Sequence, residues 1–206
     1  MRKNPAITAM IVGSAGQDGY YLGRSLLSDG IEFVGITRSG VLLPWETTIR
    51  PFSLLDPDSV SALIKEVNPH QIYYLPAYHQ SSESKLENTN VSLKHSIDIH
   101  ITGLANFLDA MRTWSPRARL FYAASSHVFG DPVIVPQNEK TPFRPINVYG
   151  ITKVAGIEVC RLYRNQHGLY CSNGILYNHE SPRRSPDFVG RKVIKSAVAI
   201  KQGKLD

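Results

Sequence analysis

Three glycines spaced by three residues follow a short apolar run near the start of the chain. The run occupies residues 6–12, and Gly13, Gly16 and Gly19 come after it. A first strand of an α/β protein turns in this way into a first helix, whose backbone N–H groups can approach the pyrophosphate of a dinucleotide. The spacing therefore predicts an α/β fold with a dinucleotide site at the carboxyl end of the first strand.

Short apolar runs alternate with helical stretches along the rest of the chain. Further strands are predicted at residues 33–37, 72–75, 120–124 and 169–176, with a short edge segment near 50–52. Helices are predicted at residues 19–28, 56–67 (with Asp56 as N-cap), 94–113 and 147–167, and a proline-rich loop at 131–145. Alternating strands and helices form a parallel sheet covered on both faces. The sequence thus predicts a Rossmann-type, doubly wound parallel sheet.

A tyrosine and a lysine four residues apart form the second motif. Tyr149 and Lys153 fall within the predicted helix 147–167, so both side chains lie on one helix face. A lysine ammonium beside a phenol favours the phenolate, which can take a proton from a sugar hydroxyl while a nicotinamide takes the hydride. Together with the glycine turn, this pair predicts a nicotinamide-dependent enzyme.

Composition narrows the class of protein further. The chain has 206 residues, a net charge of +6 and two cysteines, too few for a disulfide framework or a metal site. It contains no apolar run that could span a bilayer, and its first residues lack the apolar stretch of a signal peptide, so we expect a cytoplasmic protein without a membrane partner. The basic excess suits an anionic ligand, and the densest basic cluster lacks the interleaved aromatics of a nucleic-acid binder. That cluster comprises Arg183, Arg184, Arg191, Lys192 and Lys195.

Several stretches together resemble one known family. They are residues 13–19, 35–38, 149–153, 173–184 and 188–192. On these stretches the chain resembles the extended short-chain dehydrogenase/reductases that modify nucleotide sugars, and within them the GDP-mannose 4,6-dehydratases. The resemblance implies a lyase that oxidises a GDP-linked sugar at C4, eliminates water across C5 and C6, and returns the hydride to C6.

The resemblance also implies roles for single residues. Tyr149 and Lys153 would be the catalytic pair, with Lys153 also holding the nicotinamide ribose, and Ser125 would hydrogen-bond the sugar O4. Arg38 stands where NAD enzymes carry an acidic residue, and a guanidinium there suits the 2′-phosphate of NADP. The remaining expected cofactor contacts are Gly13, Gly16, Gln17, Asp18, Gly19, Leu54, Leu75, Ala77, His179 and Arg184.

The chain departs from the family pattern after the strand predicted at 120–124. Ser125 replaces a threonine, and His127 replaces the glutamate that serves as base at C5. Either His127 performs that proton transfer, or elimination is lost and the protein is a C4 reductase or an epimerase of a keto-sugar nucleotide. A third reading is a catalytically weak, cofactor-binding protein. Other departures affect cofactor contacts and lie at Ser53, residues 76–79 and His95.

Family members continue past the last residue of this chain. We therefore expect an NADP-binding domain over residues 1–180, which includes the catalytic helix, and the start of a truncated substrate-binding region over 181–206. In the family, the helices that correspond to 94–113 and 147–167 form a four-helix interface. The resemblance thus implies a homodimer or homotetramer.

Overall fold

The computed structural model describes residues 8–38, 52–78 and 88–204. Within these residues one parallel sheet holds five strands in the order β2-β1-β3-β4-β5. The strands are β1 (Thr8–Val12), β2 (Glu32–Ile36), β3 (Gln71–Tyr74), β4 (Arg119–Ser125) and β5 (Tyr170–Leu176). Each lies within one or two residues of its predicted position. The edge segment expected near 50–52 falls largely outside the described residues, and Phe52 itself is not in a strand.

Helices connect the strands and cover the sheet. They are α1 (Gln17–Ser28), α2 (Pro57–Val67), α3 (Thr89–Ile97), α4 (Gly103–Trp114), α5 (Val148–His167) and α6 (Val189–Lys201). Asp56 is the N-cap of α2 as predicted, since its carboxylate accepts from the backbone N–H groups of Asp58 and Ser59. Among the helices of the described ranges, none is long and apolar enough to cross a membrane.

The prediction of one continuous helix at 94–113 is wrong. The structure has α3 and α4 joined by a π-helical turn over Asp98–Thr102. A π turn holds one more residue than an α turn and shifts the side chains that follow it. The hydroxyl of Tyr74 donates to the carbonyl of Ile99 inside this turn at 2.6 Å. Strand β3 thus supplies a hydrogen-bond donor to a carbonyl of the π turn. No local sequence pattern indicates this contact.

Apolar side chains pack on both faces of the sheet. On one face Met10 and Val12 of β1 join the main core, which includes Phe107 of α4 and Ile157 of α5. On the other face, Ala9, Ile11 and Phe33 pack with Leu26 of α1. Neighbouring residues of β1 therefore point into opposite cores, as in a sheet with helices on both sides. The prediction of a doubly wound parallel sheet is confirmed.

Replacing Tyr74 by phenylalanine is expected to destabilise the fold. The change keeps the buried ring but removes the donor to the Ile99 carbonyl. An unsatisfied buried group costs about 1–3 kcal/mol. Tyr73→Phe is the matched control, because the Tyr73 hydroxyl bonds only a partly buried glutamine side chain, that of Gln71, on the same strand. Urea unfolding should show a clear loss for Tyr74→Phe alone, and equal losses would contradict this role of the hydroxyl.

Candidate active site

The glycine turn lies between β1 and α1, where the sheet order changes direction. Gly13 has a φ of +85°, and its N–H donates to the Ile36 carbonyl at 2.7 Å. A side chain on Gly19 would place its Cβ 2.5 Å from the Gly13 carbonyl oxygen, so only glycine lets α1 start this close to the turn. Gly16 is the N-cap and supplies no side-chain cap. The first N–H groups of α1 are therefore suited to an anionic pyrophosphate.

Three other predicted cofactor residues lie at the neighbouring strand ends. The loop after β3, residues 75–78, borders the glycine turn, since a Cβ on Gly13 would lie 3.3 Å from the backbone nitrogen of Pro76. Leu75 is partly buried and Ala77 is exposed in this loop. Arg38 follows β2 and is exposed, as a residue that reaches for a phosphate would be.

Leu54 lies just before α2. Its side chain is partly buried against the main core, and its carbonyl accepts from the Asn106 amide at 2.8 Å. Of the altered family positions, residue 79 lies outside the described residues. The ring of His95 packs edge-on against the ring of Tyr78 at 4.9 Å between centroids. The predicted role of Leu54 in cofactor binding remains a prediction.

Lys153 is buried and ties α5 to the ends of two strands. Its Nζ donates to the Ala123 carbonyl at 2.7 Å and to the Pro76 carbonyl at 3.5 Å. The same atom lies 5.6 Å from the centre of the Tyr149 ring and 4.9 Å from that of Tyr122. Burial lowers the pKa of Lys153 to about 7, because it removes solvent from the charged form.

The expectation that Lys153 lowers the pKa of Tyr149 is wrong for this arrangement. Burial raises the pKa of Tyr149 to about 12, and the hydrogen bond with the Ser125 side chain opposes this shift only in part. The lysine amine is bonded to backbone carbonyls, and its own burial favours the neutral form. Desolvation of both groups thus outweighs the charge effect that their sequence spacing suggests.

Ser125 and His127 lie beside the tyrosine, as predicted. The Ser125 hydroxyl bonds Tyr149 and also accepts from the backbone N–H of His127 at 3.3 Å. The His127 ring stands perpendicular to the Tyr149 ring, with 5.5 Å between centroids. The structure therefore brings Tyr149, Lys153, Ser125 and His127 to one place at the carboxyl ends of β3 and β4.

Asn147 determines which nitrogen of His127 carries the proton. Asn147 is the N-cap of α5, and its side-chain oxygen accepts from the Gly150 N–H at 2.8 Å. The amide nitrogen is therefore the atom 3.1 Å from Nδ1 of His127, and it donates there. Nδ1 must then be an acceptor, so the neutral ring carries its proton on Nε2.

The segment after β5 crosses the start of α1. His179 is 2.7 Å from a carboxylate oxygen of Asp18 and 2.7 Å from the Tyr177 carbonyl, and these bonds raise its pKa, the one to Tyr177 most strongly. Gln17 donates to the His179 carbonyl at 3.2 Å and accepts from the Ser181 hydroxyl at 2.9 Å. The predicted contacts Gln17, Asp18 and His179 thus form one cluster next to the glycine turn.

The start of the predicted region 181–206 follows this cluster. The Arg184 guanidinium lies 3.8 Å from the centre of the Phe188 ring and 3.8 Å from a Glu180 carboxylate oxygen. Helix α6 begins next, and the sequence analysis did not predict it. It has no buried residue, and its apolar side chains Val193 and Ile194 are exposed. The proposed domain boundary at residue 180 remains a prediction.

Sequence analysis also missed His100, which is fully buried in the π turn. Its ring packs edge-on against the Tyr149 ring at 5.3 Å between centroids. The sequence pattern that could have indicated it is a histidine between two isoleucines, Ile99 and Ile101. A polar ring in an apolar stretch needs hydrogen-bond partners if it is buried.

The fold and site define a Rossmann-type protein of the short-chain dehydrogenase/reductase class. Residues 10–206 match the sequence model of the family described as GDP-mannose 4,6 dehydratase. The chain belongs to this family.

Relatives at the level of sequence support this assignment. The chain is 31% identical over 212 residues to GDP-mannose 4,6-dehydratase of Vibrio cholerae serotype O1, covering 95% of this chain and 56% of the relative. It is also 31% identical over 220 residues to the human GDP-mannose 4,6 dehydratase, covering 98% of this chain and 58% of the relative. The chain thus spans little more than half the length of these curated relatives.

Solved structures share the fold. One is RMD from Pseudomonas aeruginosa complexed with NADPH, with a TM-score of 0.78 and 21% identity, covering 97% of this chain and 64% of that one. Another is UDP-glucose 4-epimerase from Brucella ovis in complex with NAD, with a TM-score of 0.74 and 21% identity, covering 84% of this chain and 52% of that one.

The buried Lys153 should make stability depend on pH. The folded pKa is about 7 and the ordinary value is 10.5, so between these values the unfolded chain binds one more proton. The free energy of unfolding then rises with pH in this window, by at most about 1.4 kcal/mol per pH unit. Lys153→Met lacks this contribution.

Urea unfolding at several pH values checks this expectation. The stability of the unsubstituted protein relative to Lys153→Met should grow between about pH 7.5 and 9.5. Lys140→Met, in the exposed loop before α5, should leave the pH dependence unchanged. Parallel curves for the unsubstituted protein and Lys153→Met would contradict a depressed pKa at this lysine.

Proposed function

We propose that this chain carries the active site of an NADP-dependent enzyme that oxidises a GDP-linked sugar at C4, in the manner of a GDP-mannose 4,6-dehydratase. The observation that carries the proposal is the cluster of Tyr149, Ser125 and Lys153 beside the glycine turn. Proton-transfer groups and a dinucleotide-type turn share one edge of the sheet. The family to which the chain belongs supports the choice of sugar nucleotide.

The residues at this edge fit a nicotinamide dinucleotide. The uncapped start of α1 suits the pyrophosphate, and the buried Ser14 hydroxyl beside it has no hydrogen-bond partner among the described residues. Leu75 and Ala77 would line the adenosine side, and Arg38 would bind the 2′-phosphate. When bound, the nicotinamide supplies the hydride acceptor and donor.

Tyr149 would remove the proton of the sugar C4 hydroxyl, and Ser125 would orient that hydroxyl. A pKa of about 12 makes the phenol a poor base at neutral pH. The oxidised nicotinamide ring is cationic, and a positive charge bound beside the phenol would lower the phenol pKa. We infer that ligand binding, rather than the protein alone, activates the tyrosine.

His127 decides whether elimination follows oxidation. A base at C5 needs a free lone pair, whereas Nδ1 accepts from Asn147 and Nε2 carries the proton. In this arrangement the ring presents a proton donor. This donor is suited to protonate a leaving hydroxyl at C6. To remove the C5 proton, His127 would first have to release its hydrogen bond with Asn147. This observation favours, as a second candidate, a reductase or epimerase that acts only at C4.

The outward faces of α3 and α5 support a homodimer as the proposed assembly. Val91 of α3 and Ile151 and Leu162 of α5 are exposed apolar side chains, and the two helices contact each other. Paired with a second copy, these faces would bury apolar area that is otherwise in water. A cytoplasmic location and the absence of nucleic-acid partners remain predictions from the sequence.

Arg38→Ala should distinguish the two dinucleotides. Loss of the guanidinium removes charge-assisted bonds to a 2′-phosphate, so NADPH affinity should fall by about tenfold or more. NADH lacks that phosphate, so its affinity should change little. Fluorescence titration measures both. Arg24→Ala, an exposed arginine on α1, is the control. Equal losses for NADPH and NADH in Arg38→Ala would contradict the assignment of NADP.

Mass spectrometry of GDP-mannose incubated with the protein and NADP⁺ tests the reaction. Loss of one water from the sugar nucleotide is the expected result. Tyr149→Phe should reduce the rate by about 100-fold or more, because the proton acceptor is gone. Tyr163→Phe on the same helix should not. Stoichiometric NADPH oxidation with a keto-sugar nucleotide would favour a reductase, and a C4 epimer of the sugar nucleotide would favour an epimerase. If none of these three reactions occurs, the proposal of an enzyme of this class is contradicted.

A further inference from the structure

His100 connects the catalytic helix with the loop after β3. Its Nδ1 lies 2.8 Å from the Thr152 hydroxyl, and its Nε2 accepts from the backbone N–H of Tyr78 at 3.0 Å. The side chain is fully buried, and the ring edge packs on Tyr149. One imidazole therefore contacts the residue before Lys153, the tyrosine ring and the loop that borders the glycine turn.

The partners of His100 define its tautomer. A backbone N–H can only donate, so Nε2 facing Tyr78 must be an acceptor. The proton is then on Nδ1, which donates to the Thr152 oxygen. The Thr152 hydroxyl directs its own proton to the carbonyl of Val148 or Tyr149, at 3.0 and 3.1 Å. Both ring nitrogens have partners of the correct polarity, which is what a buried polar ring requires.

The π turn is what brings the ring to this position. Its extra residue widens the helix at Asp98–Thr102, and the Tyr74 hydroxyl satisfies the Ile99 carbonyl next to His100. π turns of this kind often mark functional sites. Here the widened turn directs the ring between the loop after β3 and the Thr152 hydroxyl of α5.

We propose that His100 is a positioning residue that holds the loop of residues 75–78 in register with Tyr149 and Lys153. Lys153 makes a second link between the same two parts, through its bond to the Pro76 carbonyl. The role in catalysis rests on the proposed function, since that assigns Leu75 and Ala77 to the cofactor and Tyr149 to proton transfer. The geometric link itself does not depend on the reaction.

Two substitutions separate the two bonds of His100. In His100→Asn the amide nitrogen takes the place of Nδ1 and keeps the bond to Thr152, but Tyr78 loses its acceptor. In His100→Gln the amide oxygen takes the place of Nε2 and keeps the bond to Tyr78, but the donor to Thr152 is lost. His167→Gln, an exposed histidine near the end of α5, is the matched control.

The first readouts need neither cofactor nor sugar. Long-range ¹H–¹⁵N NMR of histidine should show the Nδ1–H tautomer for His100 near pH 8. Amide exchange at Tyr78 should be about 10-fold faster in His100→Asn than in His100→Gln. An Nε2–H tautomer, or equal exchange in the two variants, would overturn the proposal even if the proposed function holds.

NADPH binding and turnover then test the consequence for the site. His100→Asn should weaken NADPH binding by roughly 5- to 10-fold, whereas His100→Gln stays within about twofold. Where GDP-mannose is turned over, His100→Gln should lower kcat with little change in KM, because Thr152 adjoins Lys153. Equal effects of both variants on binding would overturn the proposal. If NADPH binds to none of these proteins, the proposed function fails, and the tautomer and exchange data still decide the role of His100.

Discussion

The bonds from the Lys153 amine to the Ala123 and Pro76 carbonyls are the interaction on which the site depends. They join α5 to the ends of β3 and β4, and so fix the distance of Tyr149 from both strands. The amine is removed from water, which lowers its pKa to about 7, and the buried phenol moves in the opposite direction. The same burial that makes the arrangement rigid also leaves both groups closer to their neutral forms.

Ligand charge is therefore part of the proposed chemistry. A dinucleotide at the glycine turn would bring negative charge to an edge that holds a buried lysine, an exposed arginine after β2 and the cluster of Gln17, Asp18 and His179. Charge of this sign favours the lysine ammonium but raises the phenol pKa, as the Asp18 carboxylate does, whereas the cationic nicotinamide ring beside Tyr149 would favour the phenolate. His127 differs from these groups, because its Nδ1 accepts a hydrogen bond from the N-cap residue Asn147.

Much of the fold could be predicted from the sequence, and the structure places the predicted residues Tyr149, Lys153, Ser125 and His127 close together. Apolar runs bounded by glycine, proline and aspartate located the strands, and the spacing of Tyr149 and Lys153 placed both on one helix. The π turn could not be predicted, because it depends on the Tyr74 hydroxyl, a partner distant in sequence. The sequence predicted a lowered pKa for Tyr149, because the spacing shows that a lysine is a neighbour. The spacing does not show that both side chains are buried, and burial raises the pKa of Tyr149. Helix α6 was not predicted, and it buries none of its residues against the rest of the described structure.

The most direct test of the central claim follows the hydrogen at C4 of the sugar. GDP-mannose labelled with deuterium at C4 is incubated with the protein and NADP⁺, and the products are analysed by mass spectrometry and NMR. If Tyr149 and the neighbouring groups perform the proposed reaction, the deuterium leaves C4 and is found at C6 of a dehydrated product. Deuterium transferred to the nicotinamide without loss of water would limit the chemistry to C4. Full retention at C4 with unchanged configuration, under conditions in which NADP⁺ is bound, would contradict the account.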